Sequence, residues 1–160
     1  MMISTKITRL LDEQNIPYTI LPHADPVYTV EAAAAQRGVV LDEMVKSILL
    51  RERKKRRYVM ACVPGAVRVN PQAVREHLPG AWKRLSFASA EEITAATGYT
   101  QGSVAPLALP PEIPVVMDNA FLACVRVNLA TGNPMAGLEM DFADLRRMIN
   151  PLFASIASQA

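Results

Sequence analysis

The chain reads as an α+β fold with a mixed or mainly antiparallel sheet. Three observations predict this. Helical and strand-like stretches are interspersed along its 160 residues. The apolar runs Val45 to Leu50 and Tyr58 to Val63 flank a basic tip as the arms of a hairpin. Capping signals recur between the strands. No repeat, low-complexity block or linker divides the chain, and its length suits one domain with a sizeable core. Apolar residues make up 51% and charged residues 20%, as in globular proteins. The apolar stretches are short and interrupted, so no transmembrane helix is expected. Met1 to Leu11 shows neither a long apolar core nor a small-residue cleavage site. No signal peptide is read there, and the cytoplasm is the expected compartment.

Ile3, Ile7, Leu10 and Leu11 have helical spacing, with Ser4 or Thr5 as cap and Asn15 and Pro17 as the stop. Tyr18 to Leu21 is a short strand, and His23 to Pro26 a turn. Thr29 caps a helix that runs to Arg37, with Gly38 just past its end. The hairpin follows, broken at Pro64-Gly65. Asn70 caps the next helix with Pro71 at its first position, and Lys83 to Ala88 is read as strand. Ser89-Ala90-Glu91-Glu92 is a capping box for a helix closed by Gly98. Val104 to Leu109, Val115 to Met117 and Leu122 to Leu129 are expected strands. Thr131 to Pro134 turns the chain, Gly137 to Met140 returns, and Asp141 caps a last helix. The tail after Pro151 is expected to fray.

Net charge is +2, but Arg51 to Arg57 holds six basic residues and one acidic residue. Such a run is either a solvated hairpin tip that blunts a sheet edge or a phosphate-contacting patch. The two cysteines and two histidines lack close ligand spacing, so neither a structural metal nor a cofactor is expected. Cys62 and Cys124 read as buried thiols. There is no phosphate loop, dinucleotide fingerprint, metalloprotease motif or nucleophile elbow.

What remains is Lys46, a cation opening an apolar strand. It either snorkels to solvent or is a fixed charge for a phosphate, carboxylate or carbonyl oxygen. The loop Gly98 to Pro106 holds small residues that let a ligand approach its backbone, or is an ordinary turn. His23 and Tyr28, near the second helix, and Asn128, Thr131 and Gly132, near the C-terminal hairpin, are weaker candidates.

Taken together, the pieces resemble the YbaK/ProX aminoacyl-tRNA deacylases, related to the editing domain of bacterial prolyl-tRNA synthetases. The matching pieces come in the family's order. They are Asn15-Ile16-Pro17-Tyr18, Tyr28-Thr29-Val30-Glu31-Ala32-Ala33, Val45-Lys46-Ser47-Ile48-Leu49-Leu50, Gly98-Tyr99-Thr100-Gln101-Gly102-Ser103-Val104-Ala105-Pro106 and Gly137-Leu138-Glu139-Met140.

The resemblance implies a single compact domain over residues 1–160, with a curved, mostly antiparallel mixed sheet flanked by helices. It implies trans-editing hydrolysis of the ester on mischarged tRNA, with water or a ribose hydroxyl attacking. Lys46 and Gly102 then take the catalytic positions. His23, Tyr28, Thr29, Ser103, Pro106, Asn128, Thr131 and Gly132 are expected at the substrate. Arg51, Arg53, Lys54, Lys55, Arg56 and Arg57 are expected against the tRNA. A synthetase is a candidate partner; DNA and membrane partners are not expected. Ala105, where many relatives have Ser or Gly, and the segment Thr131 to Ala136, without the Gly-Gly-Arg-Arg of some members, leave the amino acid open among Ala, Ser, Thr, Cys and Pro. The alternative is a non-catalytic module of the same fold that binds tRNA or a synthetase; a small-molecule binder without an RNA partner is a third reading.

Overall fold

The computed structural model describes residues 3–54 and 57–158. Its helices are α1 (Lys6–Glu13), α2 (Val30–Arg37), α3 (Pro71–His77), α4 (Ala90–Thr97) and α5 (Phe142–Ile149). Its strands are β1 (Thr19–Pro22), β2 (Val45–Glu52), β3 (Tyr58–Pro64), β4 (Arg68–Val69), β5 (Leu85–Phe87), β6 (Val115–Asp118), β7 (Arg126–Ala130), β8 (Ala136–Asp141), β9 (Leu152–Ala154) and β10 (Ala157–Ser158). The class is α+β, as the sequence implies. The strands form a mixed five-stranded sheet in the order β5-β2-β3-β6-β9, an antiparallel sheet β1-β8-β7 and the short pair β10-β4.

The β2–β3 hairpin is the spine. It pairs antiparallel from Val45↔Pro64 to Arg51↔Tyr58. Both faces of β3 are covered, so its apolar run does not alternate with polar residues. Met60 and Cys62 enter a core shared with Ile7 and Leu11 of α1, Ile93 of α4 and Leu138 of β8. Val59, Ala61 and Val63 enter a second core with Val74, Leu78 and Ile156.

Four of the expected caps form. Thr5 and Ser89 make capping boxes, Thr29 accepts from the Ala32 N–H, and Asn70 accepts from Gln72 and Ala73. Asp141 sits at its cap position without a side-chain capping bond.

Three expectations are corrected. Val104 to Leu109 is not a strand: Pro106, Pro110 and Pro111 bring no N–H to a ladder, and Ala108 turns the chain with φ of 55°. Its apolar side chains still pack, with Ala105 and Leu107 buried. Leu122 to Leu129 divides into the 3-10 segment Asn119–Ala123, whose start is capped by Asp118, and β7 from Arg126. The tail is paired as far as Ser158. β9 pairs parallel with β6, and Asp118 accepts the N–H groups of Ile156 and Ala157 at 2.9 and 3.1 Å. A parallel partner distant in sequence leaves no short-range signal.

Candidate active site

The site grows from an interruption in the sheet. On its outer side β2 is paired by β5 only from Leu50 to Glu52, with the Ala88 N–H reaching the Leu49 carbonyl just before. At the other end, Met44 bridges to Asn128 of β7. Between these contacts, no described strand pairs with that side of β2. A cavity of about 380 Å3 occupies the gap.

Backbone groups alternate sides along an antiparallel strand. The Leu49 carbonyl and the Arg53 N–H face β5's side, whereas the Glu52 N–H bonds to the Arg57 carbonyl within the hairpin. The odd positions therefore turn their backbone groups outward, and the N–H and C=O of Ser47 face the cavity side.

Lys46 also lines this cavity. Its Nζ donates to the carbonyl of Gly65 at 3.4 Å and to that of Val67. An ammonium has three N–H groups, so one remains for a ligand. Burial, with Arg68 adding repulsion, lowers the Lys46 pKa from its ordinary value, while Glu31 acts the other way.

The opposite wall is the start of α2 and the loop before it, Tyr28 to Val30, faced by Gln101, Gly102 and Val104. Gly102 has φ of +91°, and a Cβ there would lie 3.0 Å from the Tyr28 carbonyl oxygen. Both conformation and contact call for glycine, which lets this loop seat on the Tyr28 backbone. Tyr28 and Phe87, 58% and 61% exposed, line the same cavity. Deeper, Ala33, Ala88, Ile93 and Ala130 make an apolar lining.

Arg37, the last residue of α2, also reaches the cavity. Its Nε–H donates to His23 Nε2 at 3.2 Å and its Nη1 to Asn128 Oδ1 at 2.9 Å. Because arginine only donates, His23 Nε2 is the acceptor. The ring proton therefore sits on Nδ1, which donates to the Pro134 carbonyl at 2.8 Å. Burial lowers the Arg37 pKa to about 10.

The structure thus brings Lys46, Tyr28, Thr29 and Gly102 to one cavity. It places the other sequence candidates elsewhere. His23 and Asn128 are buried and hold Arg37. Ser103 is buried, and its N–H is taken by the Thr100 carbonyl at 2.9 Å. Pro106 lines a separate cavity beside Leu107 and Met148. Thr131 closes the β7–β8 turn through the Ala136 carbonyl at 2.8 Å, and Gly132 lies against the Tyr99 ring. Arg37, Ser47 and Phe87 were not singled out by the sequence.

At the basic tip, Arg51 pairs with Glu92 at 3.0 Å and Arg57 with Glu52 at 2.6 Å. Arg53 and Lys54 are exposed. Lys55 and Arg56 lie outside the described residues. Cys62 is fully buried and its thiol is pushed up to about 12, so it is no nucleophile at neutral pH. His77, on the surface, is bonded to the Ala73 carbonyl of its own helix. Among the described residues no group of three or more His, Cys, Asp or Glu could hold a metal ion, and no helix is long and apolar enough to cross a membrane.

An α+β domain with a lysine-edged cavity and no reactive thiol among the described lining residues is suited to binding and polarising an already activated substrate. The family model for the aminoacyl-tRNA editing domain matches residues 24–148, and the chain belongs to that family. The prolyl-tRNA editing protein ProX of Acetoanaerobium sticklandii is 26% identical over 143 residues, covering 87% of this chain and 85% of that one. A proline–tRNA ligase of Bacillus licheniformis is 34% identical over 110 residues, covering 69% of this chain but only 18% of the ligase. Among solved structures, a hypothetical protein superposes with a TM-score of 0.85 at 28% identity, over 96% of this chain and 100% of that one. A proposed trans-editing enzyme for prolyl-tRNA synthetase superposes at 0.79, with 22% identity over 98% of this chain and 99% of that one, which bears on the fold alone.

Proposed function

We propose that this protein is a trans-editing deacylase that hydrolyses the ester of mischarged tRNA. The observation that carries the reading is the cavity at the β2 gap, which Lys46 and Ser47 both line, in a chain of the editing family. The ProX relative, named for prolyl-tRNA editing and matched over 85% of its length, supports a freestanding editing protein.

The aminoacyl ester is already activated, so positioning and electrostatic stabilisation suffice without a covalent nucleophile. The terminal aminoacyl-ribose enters between Tyr28 and Phe87. Its ester carbonyl oxygen takes the remaining N–H of Lys46 and the N–H of Ser47. Water, oriented by the neighbouring ribose hydroxyl, adds to the carbonyl carbon. The ester C–O bond breaks, the ribose oxygen takes a proton, and the amino acid leaves as its carboxylate. The lining by Ala33, Ala88, Ile93 and Ala130 suits a small uncharged side chain, within the set Ala, Ser, Thr, Cys and Pro. The backbone of Gly102 forms the facing wall, and in this reading the exposed Arg53 and Lys54 meet the tRNA backbone.

The test is ester loss from a panel of tRNAs carrying those five amino acids, with wild type beside Lys46→Ala. Loss that falls about 100-fold or more in the variant, with an unchanged circular dichroism spectrum, is expected. Wild-type turnover by a folded Lys46→Ala would remove Lys46 from the chemistry. No turnover by wild type on any tRNA would favour a non-catalytic binding module.

A further inference from the structure

The guanidinium of Arg37 is a cation in a cavity wall whose protein partners are neutral. Its recorded acceptors are a neutral imidazole and an amide. Among the described residues, no carboxylate forms an ion pair with it. These acceptors occupy two of the five N–H groups of an arginine.

The fold makes room for this arrangement. A Cβ at Gly137 of β8 would fall 2.1 Å from Arg37 Nε, so the bare backbone there leaves space for the guanidinium. His23 fixes one corner and Asn128 another, both buried, and His23 is itself fixed by Pro134. A partly buried charge without a counter-ion is costly, and this one is held in place by two buried neutral partners. Such a group is suited to an anion brought in by a ligand, and a guanidinium fork matches the oxygens of a phosphate in two-point contact.

We infer that Arg37 binds the phosphodiester that precedes the terminal adenosine of the substrate, with His23 and Asn128 as its positioning residues. The identity of the ligand rests on the editing reading above; the anion site itself rests on the geometry. In an aminoacylated tRNA end the ester, ribose and adenine carry no negative charge. The adjacent phosphate is the anion closest to the scissile bond. Lys46, held by the Gly65 and Val67 carbonyls, and Arg37, held by His23 and Asn128, then divide the work. One faces the ester and the other anchors the nucleotide, so the loss of Arg37 should raise KM more than it lowers kcat.

The experiment titrates the full chain with adenosine and with adenosine 5′-monophosphate, following binding by NMR shift or calorimetry, for wild type and Arg37→Gln. Wild type is expected to bind the monophosphate tenfold or more tightly than adenosine, the usual scale of a charge-assisted contact. Arg37→Gln should bring the two within about twofold. Equal binding of both ligands by wild type would overturn the proposal, as would a preference that survives in Arg37→Gln. If Arg37→Gln does not fold, Arg37→Lys and a salt series on wild type decide. The proposal requires a preference weakened by the loss of the fork and by added salt; one unchanged in both overturns it. Phosphate preference without ester cleavage of any charged tRNA would keep the anion site and remove the editing reading. Cleavage without phosphate preference would do the reverse.

Discussion

Arg57 closes a two-point fork on the carboxylate of Glu52, with Nε and Nη2 at 2.8 and 2.6 Å from its oxygens. Glu52 is fully buried and also receives the Lys83 N–H at 2.7 Å, while the Arg57 guanidinium lies 4.0 Å from the centre of the Trp82 ring. The foot of the basic hairpin is therefore a structural clasp. Arg57→Ala leaves the buried carboxylate without its fork, and the melting temperature should fall. Joint replacement of Arg53 and Lys54 by Ala should leave it unchanged while weakening tRNA binding. The salt slope of log K should then become shallower by roughly 0.7 to 0.9 for each phosphate contact removed. An unchanged slope would confine the tip to a solvated sheet edge.

Gly102→Ala should damage both stability and activity. An alanine there would adopt φ of +91° and press its Cβ to within 3.0 Å of the Tyr28 carbonyl. Strain of this kind costs about 1–3 kcal/mol, and the Tyr28 wall must shift to relieve it. Chemical denaturation gives the first effect and KM on mischarged tRNA the second. Wild-type values for both would show that the loop tolerates a side chain.

The elements were legible where the signal is local. Thr29 with Gly38, and Ser89 with Gly98, bracket helices seen with those caps. The hairpin was legible because apolar runs flank a charged tip. What failed to show was produced by distant partners. Leu152–Ala154 is a strand because β6 lies beside it, 36 residues away in register. In the site, Lys46 stood out as a charge in an apolar strand. Arg37 did not, since a basic residue in the last turn of a helix is the ordinary complement to its dipole. Only the fold reveals that it turns inward to His23 and Asn128. Those two were noticed for their own chemistry, whereas the structure gives them Arg37 to hold.

The Lys46 amine must be protonated to stabilise an oxyanion. Burial lowers its pKa below the ordinary lysine value of 10.5, so on the alkaline side the charge is lost earlier than for an exposed lysine. The lysine-dependent part of kcat, wild type minus Lys46→Ala, should therefore decline as pH rises toward 10.5. Subtraction is needed because uncatalysed ester hydrolysis rises with hydroxide. A lysine-dependent rate that climbs through the same range would mean that the neutral amine is the active form, as a base rather than a fixed charge.

Ser47 separates backbone from side chain. Its hydroxyl lies 3.7 Å from the buried Cys62 sulfur, whereas its N–H faces the cavity side of β2. Ser47→Ala keeps the N–H and removes the hydroxyl, so kcat/KM on mischarged tRNA should stay within a few-fold of wild type. A fall of about 100-fold, the scale of a lost oxyanion donor, would transfer the role to the hydroxyl.

His23 should make the fold sensitive to mild acid. Burial lowers its pKa below the ordinary 6.5, the hydrogen bond to the Pro134 carbonyl opposes this in part, and the Arg37 charge adds a smaller lowering. The unfolded chain therefore takes up a proton at pH values where the folded ring stays neutral. By linkage, the contribution of His23 to stability is present above pH 6.5 and is lost as pH falls through the folded pKa. The physical cause is direct: a protonated ring can no longer accept from Arg37 Nε. Between pH 6.5 and 5, above the range where most carboxylates titrate, the wild-type unfolding midpoint should drop. His23→Gln offers an amide oxygen to the same guanidinium and carries no proton equilibrium, so its midpoint should be flatter across that interval. Parallel slopes for the two proteins would assign the acid sensitivity to another group.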